Sequence, residues 1–315
     1  MYRIVAFVLS SVLGLTFLVT VNTPAPVQEQ YPAPPSGFLL TPEKLKENLE
    51  KDGEPLVSGL VAHRGFHYSN DDMKRPLENT LSAYEHAWAG GVHFCECDVM
   101  MTKDGEVVLS HDDNLKRLAL KPDQAAKNVR DLSFFKDLEY FPLKDGSRVP
   151  RLSEVLAAAK RTGSNSKLIV EIKGTSLECA TKVVETALSE QGIHMAAVIS
   201  FSLESVREFA RLNPRKKRIL SLLITVRVDK HDGNVVLDLN NFSVLEQTLK
   251  DSALDGLVVE YDSTFLTDAR FAALCKRYAV GVWGVTKDAK TTVLQLIAKG
   301  AKFVDSDLDD EFFHM

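Results

Sequence analysis

The sequence predicts an α/β fold, a distorted (β/α)8 barrel of the TIM type. Two observations carry this. From Leu56 onward short β-branched runs alternate with amphipathic helical stretches, the rhythm of βαβ units around a parallel sheet. Charged side chains also collect at the ends of successive strand candidates, where such a barrel places its chemistry. The composition is that of a globular chain, 315 residues with 45% hydrophobic and 26% charged, long enough to bury a large core. A net charge of -5 gives no electrostatic support to a nucleic-acid partner.

Taken in order, residues 1–21 open with Arg3 and the uncharged apolar run Ile4 to Val21. That run lies at the short end of a membrane span and is long for a signal-peptide core. With Arg3 before it and Lys44 the next basic residue, the N-terminus stays cytoplasmic and the body is translocated. The expectation is an uncleaved signal anchor, with a cleaved signal peptide as the alternative. The protein would then enter the secretory pathway, either as a single-pass membrane protein with a lumenal or extracellular body or in secreted form. Asn241-Phe242-Ser243 fits a glycosylation site in that topology. Residues 22–55 form a Pro-rich linker and a polar helix, with Thr41 as N-cap and Pro42 in the first turn. Arg215-Lys216-Lys217-Arg218 reads as a solvated loop before a strand.

Residues 56–315 are the barrel domain. Its strand candidates are Val57–Ala62, Phe94–Val99, Val107–Ser110, Leu168–Ile172, Ala197–Phe201, Ile219–Ile224, Gly256–Glu260, Val280–Val285 and Phe303–Asp305. Helix candidates lie between most of them, Thr80–Ala89, Leu152–Lys160, Leu177–Ser189, Leu203–Arg211, Val244–Asp251, Thr267–Arg277 and Ala289–Lys299. The rhythm breaks between Val99 and Val107, where Thr102-Lys103-Asp104-Gly105 signals a turn and leaves no room for a crossover helix. The barrel is therefore irregular there, and 112–150 makes an excursion over one end. An open doubly wound sheet is the alternative, but no Gly-rich phosphate loop follows the first strand. The four cysteines match no zinc or disulfide pattern. Cys95 and Cys97 share one strand face and pack outward as buried thiols.

The strand ends hold the chemistry. Glu96 and Asp98 are two residues apart, so both carboxylates share one face of the strand. Two like charges on an apolar strand need a counter-charge, and a cation supplies one. With Glu171 they make a set of hard oxygen ligands suited to Mg²⁺ or Ca²⁺. His63 and His111 titrate near neutrality and can trade protons with a substrate. Arg64 offers a planar fork for phosphate oxygens and Lys173 a point charge. These are the parts of a phosphoryl-transfer site. His67, His86, His93, His194, His231 and His314 match no constellation and read as structural or solvated.

The motifs Ala62-His63-Arg64-Gly65, Pro76-Leu77-Glu78-Asn79-Thr80, the run Glu96–Asp112 and Val170-Glu171-Ile172-Lys173-Gly174, in this order, resemble the glycerophosphodiester phosphodiesterase family. Looser likenesses follow at Ile199–Phe201, Val282–Lys287 and the closing Gly300–Phe312. The resemblance implies a distorted barrel and a metal-dependent hydrolase of lipid and glycerol metabolism, which releases glycerol 3-phosphate and an alcohol. It puts metal carboxylates at Glu96, Asp98 and Glu171, with Glu78 as a further ligand or supporting group. It puts acid and base at His63 and His111, a phosphate-binding Arg at Arg64, a substrate or metal-site Lys at Lys173 and a pocket aromatic at Trp283. Gly284 and Thr286 depart from the usual Thr and Asn. The alternative activity is that of a lysophospholipase D acting on lysophospholipids at a membrane, reached through the N-terminal apolar segment. A silent lipid-binding module and a metal-independent phosphoinositide lyase are further alternatives. The filled catalytic positions argue against the first, the three carboxylates against the second.

Overall fold

The computed structural model describes residues 5–10, 16–21, 41–43, 45–47, 59–67, 75–213, 218–228, 233–285 and 289–308. The chain divides into two units, Met1–Ala33 and Pro34–Met315. In the first, β1 (Val5–Ser10) pairs antiparallel with β2 (Thr16–Val21). The apolar run expected to anchor or target the chain is thus laid out as two strands. Among the described residues no helix is long and apolar enough to cross a membrane. The linker at 22–37 and the basic residues Arg215–Lys217 lie outside the described residues; so does most of the polar helix, whose described part is helical.

The second unit is a closed barrel. Its parallel strands are β3 (Leu60–Ala62), β4 (Phe94–Met101), β6 (Lys167–Ile172), β7 (Met195–Ser200), β8 (Leu220–Thr225), β9 (Gly256–Glu260), β10 (Ala279–Trp283) and β11 (Phe303–Ser306). β11 returns to pair with β3, which closes the ring. The helices α1 (Leu81–Ala89), α2 (Leu152–Thr162), α3 (Leu177–Leu188), α4 (Leu203–Leu212), α5 (Ser243–Asp251), α6 (Ala269–Arg277) and α7 (Ala289–Ala298) follow the strands in alternation. Hydroxyl caps begin several of them: Thr80 accepts from the Ala83 N–H, Ser176 from Cys179 and Ser202 from Ser205. The sequence places every one of these helices within a few residues.

The expected irregularity is real, and its geometry explains the site. β3 is short and pairs with only Phe94 and Cys95 of β4. Farther along that edge of β4, β5 (Val107–Leu109) pairs antiparallel with Val99–Met101. The edge positions Glu96 to Asp98 are left to loops. Side chains alternate along β4 as expected: Cys95, Cys97 and Val99 join the apolar layer under the helices, while Phe94, Glu96 and Asp98 face inward. All four cysteines are buried free thiols. Val61, Ile169, Ile199, Leu222, Ile224, Val258 and Phe303 fill the barrel interior below the mouth. The 112–150 excursion has its own small core, in which Met100 and Val108 meet Leu115, Val129, Phe134, Leu138 and Leu143.

Candidate active site

The site assembles from the turn after β3 upward. Arg64 sits in the left-handed region at φ 54, followed by Gly65 at φ 85. A Cβ at Gly65 would lie 2.8 Å from the Ala83 Cβ of α1, so only glycine fits there. The strained turn aims the Arg64 N–H at Glu96 Oε2, 3.1 Å away. Arg64 Nη1 donates to Glu78 Oε1 at 3.0 Å, and its Nε lies 3.1 Å from Asp98 Oδ2.

The segment before α1 serves the same open edge. Asn79, also left-handed at φ 55, accepts from the Asp98 N–H at 3.1 Å and donates from Nδ2 to Asp98 Oδ2 at 2.8 Å. Tyr84 Oη donates to the same Asn79 Oδ1 at 2.8 Å. A side chain thus replaces the missing strand neighbour of Asp98.

On the other edge of β4, Asp98 is in register with Glu171 of β6. Lys173 Nζ lies 2.7 Å from Glu171 Oε1 and 3.4 Å from Asp98 Oδ1. Glu96, Asp98 and Glu171 are all buried, and one oxygen of each lies within 4.8 Å of the others. Glu96 Oε1 is buried with no hydrogen-bond partner. A cation fits this donor set: all-oxygen, clustered, and with an orphaned buried oxygen.

The electrostatics point the same way. Burial, then the neighbouring charge of Asp98, pushes the Glu96 carboxyl well above its usual range; burial and Asp98 also raise Glu171. Burial works to raise Asp98 too, but Lys173 and Arg64 outweigh it and hold Asp98 down at about 2. Burial would lower the His63 imidazole, yet the charge of Asp305, the hydrogen bond to Asp307 and the charge of Glu96 push it up to about 10. His63 Nδ1 lies 2.5 Å from Asp307 Oδ1, and its Nε2 faces Glu96 Oε2 at 4.0 Å.

His111 follows β5 and arrives at the same mouth, where burial lowers its pKa against the pull of Asp98. Its Nδ1 is 2.7 Å from Asp112 Oδ1. Arg117 Nε donates to Asp112 Oδ2 at 2.8 Å, and its two Nη groups donate to the Glu78 carboxylate at 2.6 and 2.7 Å. Glu78, 2% exposed, is a bridge between Arg64 and Arg117.

The structure therefore gathers His63, Arg64, Glu78, Glu96, Asp98, Glu171, Lys173 and His111. Trp283, at the end of β10, is set apart on the β7–β8 side of the mouth. It packs edge-on to Phe201 at 5.6 Å and donates to the Thr225 carbonyl at 3.2 Å. Beside it Gly284 is at φ 80 with open space where a Cβ would stand; Thr286 lies outside the described residues. Asn79, Asp112, Arg117, Asp305 and Asp307 also lie among these residues; the sequence assigned none of them a role, though all but Arg117 stand inside its motifs. His67, expected to be structural or solvated, is 3% exposed with Nε2 3.7 Å from Asp307 Oδ1. His86 and His194 are structural as expected, each bound to a backbone carbonyl.

Fold and site together define a (β/α) barrel whose mouth gathers carboxylates, imidazoles and cationic side chains. Residues 63–306 match the glycerophosphoryl diester phosphodiesterase family, and the chain belongs to it. It is 31% identical over 148 residues to lysophospholipase D GDPD1 of Homo sapiens, covering 43% of each chain. It is 30% identical over 175 residues to a glycerophosphodiester phosphodiesterase of Bacillus altitudinis, covering 50% of this chain and 64% of that one. The match thus spans less than two thirds of either relative. Among solved structures, a glycerophosphodiester phosphodiesterase from Parabacteroides distasonis superposes with a TM-score of 0.60 at 22% identity, over 81% of this chain and 95% of that one. An Oleispira antarctica phosphodiesterase in complex with the product sn-glycerol-3-phosphate gives 0.59 at 20% identity, with the same coverage. The last two share the fold.

Proposed function

We propose that this chain is a divalent-cation-dependent phosphodiesterase that hydrolyses glycerophosphodiesters to glycerol 3-phosphate and an alcohol. The observation that carries the proposal is the Glu96–Asp98–Glu171 carboxylate triad with an orphaned oxygen, flanked by Arg64, Lys173 and two histidines. A Mg²⁺ or Ca²⁺ held by the triad would polarise the phosphodiester and neutralise its charge. Arg64 and Lys173, already turned toward the carboxylates, add positive charge where a phosphoryl group would dock. His63 and His111 share the proton traffic. One takes a proton from the attacking hydroxyl, which is the substrate's own neighbouring glycerol hydroxyl or a water. The other returns one to the departing alcohol. Asp307 and Asp112 fix the two rings through Nδ1 and leave each Nε2 for this exchange. Trp283 and Phe201 wall the mouth as the apolar surface for the alcohol group.

A second substrate class is favoured by the likeness to the human lysophospholipase D and by the apolar N-terminal run. On that reading the run is a signal anchor or signal peptide, the body lies lumenal or outside the cell, and lysophospholipids are cleaved at a membrane. The deciding assay compares glycerophosphocholine with lysophosphatidylcholine, each with EDTA and with added Mg²⁺ or Ca²⁺. Turnover of the soluble diester that EDTA abolishes supports the first reading; turnover of the lysolipid alone supports the second. His63→Ala and His111→Ala should each remove nearly all hydrolysis in a folded protein. Near-normal turnover in either would overturn the acid–base assignment.

A further inference from the structure

Beside the carboxylate triad stands a second donor set of different chemistry. One donor atom each of His63, His67 and Asp307 lies within 4.8 Å of the others. Asp307 Oδ1 is 2.5 Å from His63 Nδ1 and 3.7 Å from His67 Nε2. His67 is 3% exposed, and neither of its ring nitrogens has a hydrogen-bond partner. A buried imidazole with both nitrogens idle is costly unless something binds it.

The backbone holds this set in place. The turn at 63–67 is tied by Gly65 N–H to the Ala62 carbonyl and by Phe66 N–H to the Ala83 carbonyl. Buried Arg75 lays its guanidinium over the Phe66 ring and donates from Nη1 to the carbonyls of His67, at 3.2 Å, and Leu308, at 2.6 Å. One cation thus fixes both the histidine turn and the tail that carries Asp307. The two imidazole rings meet edge to face with centroids 6.1 Å apart.

We propose that His63, His67 and Asp307 form a site for a borderline transition-metal cation of the Zn²⁺ class, and that filling it shuts the enzyme down. Two imidazoles and one carboxylate suit Zn²⁺ or Co²⁺, whereas the all-oxygen triad suits Mg²⁺ or Ca²⁺, so the sites select different ions. The shutdown rests on the proposed role of His63. A cation on His63 Nδ1 takes the place of the proton that Nδ1 donates to Asp307; one proton is released to solvent and the one proton left on the ring sits on Nε2. Nε2 then keeps its proton and cannot accept another.

The test uses the whole chain, saturated with Mg²⁺ and titrated with Co²⁺, read by visible absorption. The expected result is one Co²⁺ per chain with an intense four- or five-coordinate spectrum that Mg²⁺ does not displace. His67→Gln and Asp307→Asn should each weaken it about tenfold or more. Asp307 carries an exposed side chain, so its replacement leaves packing alone and serves even if the buried His67 variant fails to fold. Zn²⁺ should inhibit the Mg²⁺-supported reaction of the parent chain over the same concentration range in which it displaces the bound Co²⁺. A Co²⁺ spectrum unchanged in both variants, or lost on adding Mg²⁺, overturns the site. If instead hydrolysis proves independent of His63, the proposed function fails while the spectrum still decides this site.

Discussion

Asn79 grips Asp98 at both ends: its Oδ1 accepts from the Asp98 backbone N–H and its Nδ2 donates to the Asp98 carboxylate. On the edge away from β6, strand β4 has no strand beside it at this point, so one side chain satisfies the Asp98 N–H there and aims the ligand. The first prediction follows from that grip. Asn79→Gly keeps the left-handed backbone and removes the side chain. It should weaken Mg²⁺ binding about 10- to 100-fold by calorimetry, with the fold retained. Asn79→Ala should lose the same affinity and some stability besides, because alanine is strained at φ 55. Unchanged Mg²⁺ affinity in the Gly variant would show that Asp98 needs no bracing.

Arg117 reaches from the excursion to clamp Glu78 with two hydrogen bonds while its Nε holds Asp112, the partner of His111. Lysine cannot reproduce that planar fork. Arg117→Lys should therefore lose nearly as much as Arg117→Ala, roughly tenfold or more in kcat/KM. Removing Arg117 leaves Glu78 with Arg64 alone, and loosens His111 as well. Full activity in the lysine variant would show that charge suffices and that the excursion does not position His111.

The barrel order was legible because each strand and helix carries its own hydrophobic period, and because Glu96, Asp98 and Glu171 are charges on apolar strands. Such charges are anomalies that call for a partner. Arg117 and Asp112 lie in an excursion without periodicity, where a charged residue looks solvated. Asp305 and Asp307 hide in the last strand and its tail; only closure of β11 onto β3 carries them to His63. His67 is four residues beyond His63, and nothing in its neighbours shows that the turn folds its ring back under the site. The N-terminal run is a different case. Apolar length registers hydrophobicity without choosing helix or strand, and the segments Val5–Ser10 and Thr16–Val21, the second rich in Val and Thr, form strands.

Cys97 occupies the face of β4 opposite the carboxylates, fully buried, and burial pushes its thiol well above the usual value. Cys95, Cys179 and Cys275 are buried likewise. All four should be silent toward an aromatic disulfide reagent until urea unfolds the chain. Cys97→Ser puts a hydroxyl into the apolar layer under the helices and should cost about 1–3 kcal/mol in urea unfolding. Rapid labelling of the native protein would mean that the layer under the helices opens to solvent.

The site also predicts how cation binding depends on pH. In the cation-free protein burial lifts the Asp305 carboxyl to about 7, with the charge of Asp307 adding to it, and raises Glu96 and Glu171. An unfolded aspartate titrates near about 4. Between those values the folded state holds a proton that the unfolded state has lost, so this group's contribution to stability falls as pH rises from about 4 to about 7. His63 extends the trend: its pKa, raised to about 10 against about 6.5 unfolded, gives stability that is full below 6.5 and lost as pH climbs through 10. Asp98, held down at about 2, acts oppositely but only in acid. A cation needs the carboxylates unprotonated, so binding should release protons and tighten as pH rises. The rise in melting temperature on adding Mg²⁺ should therefore be clearly larger at pH 8 than at pH 5.5. Calorimetry in two buffers of different ionisation enthalpy should show proton release near neutrality. An equal shift at both pH values, with no proton release, would mean that the carboxylates are already ionised before the cation arrives.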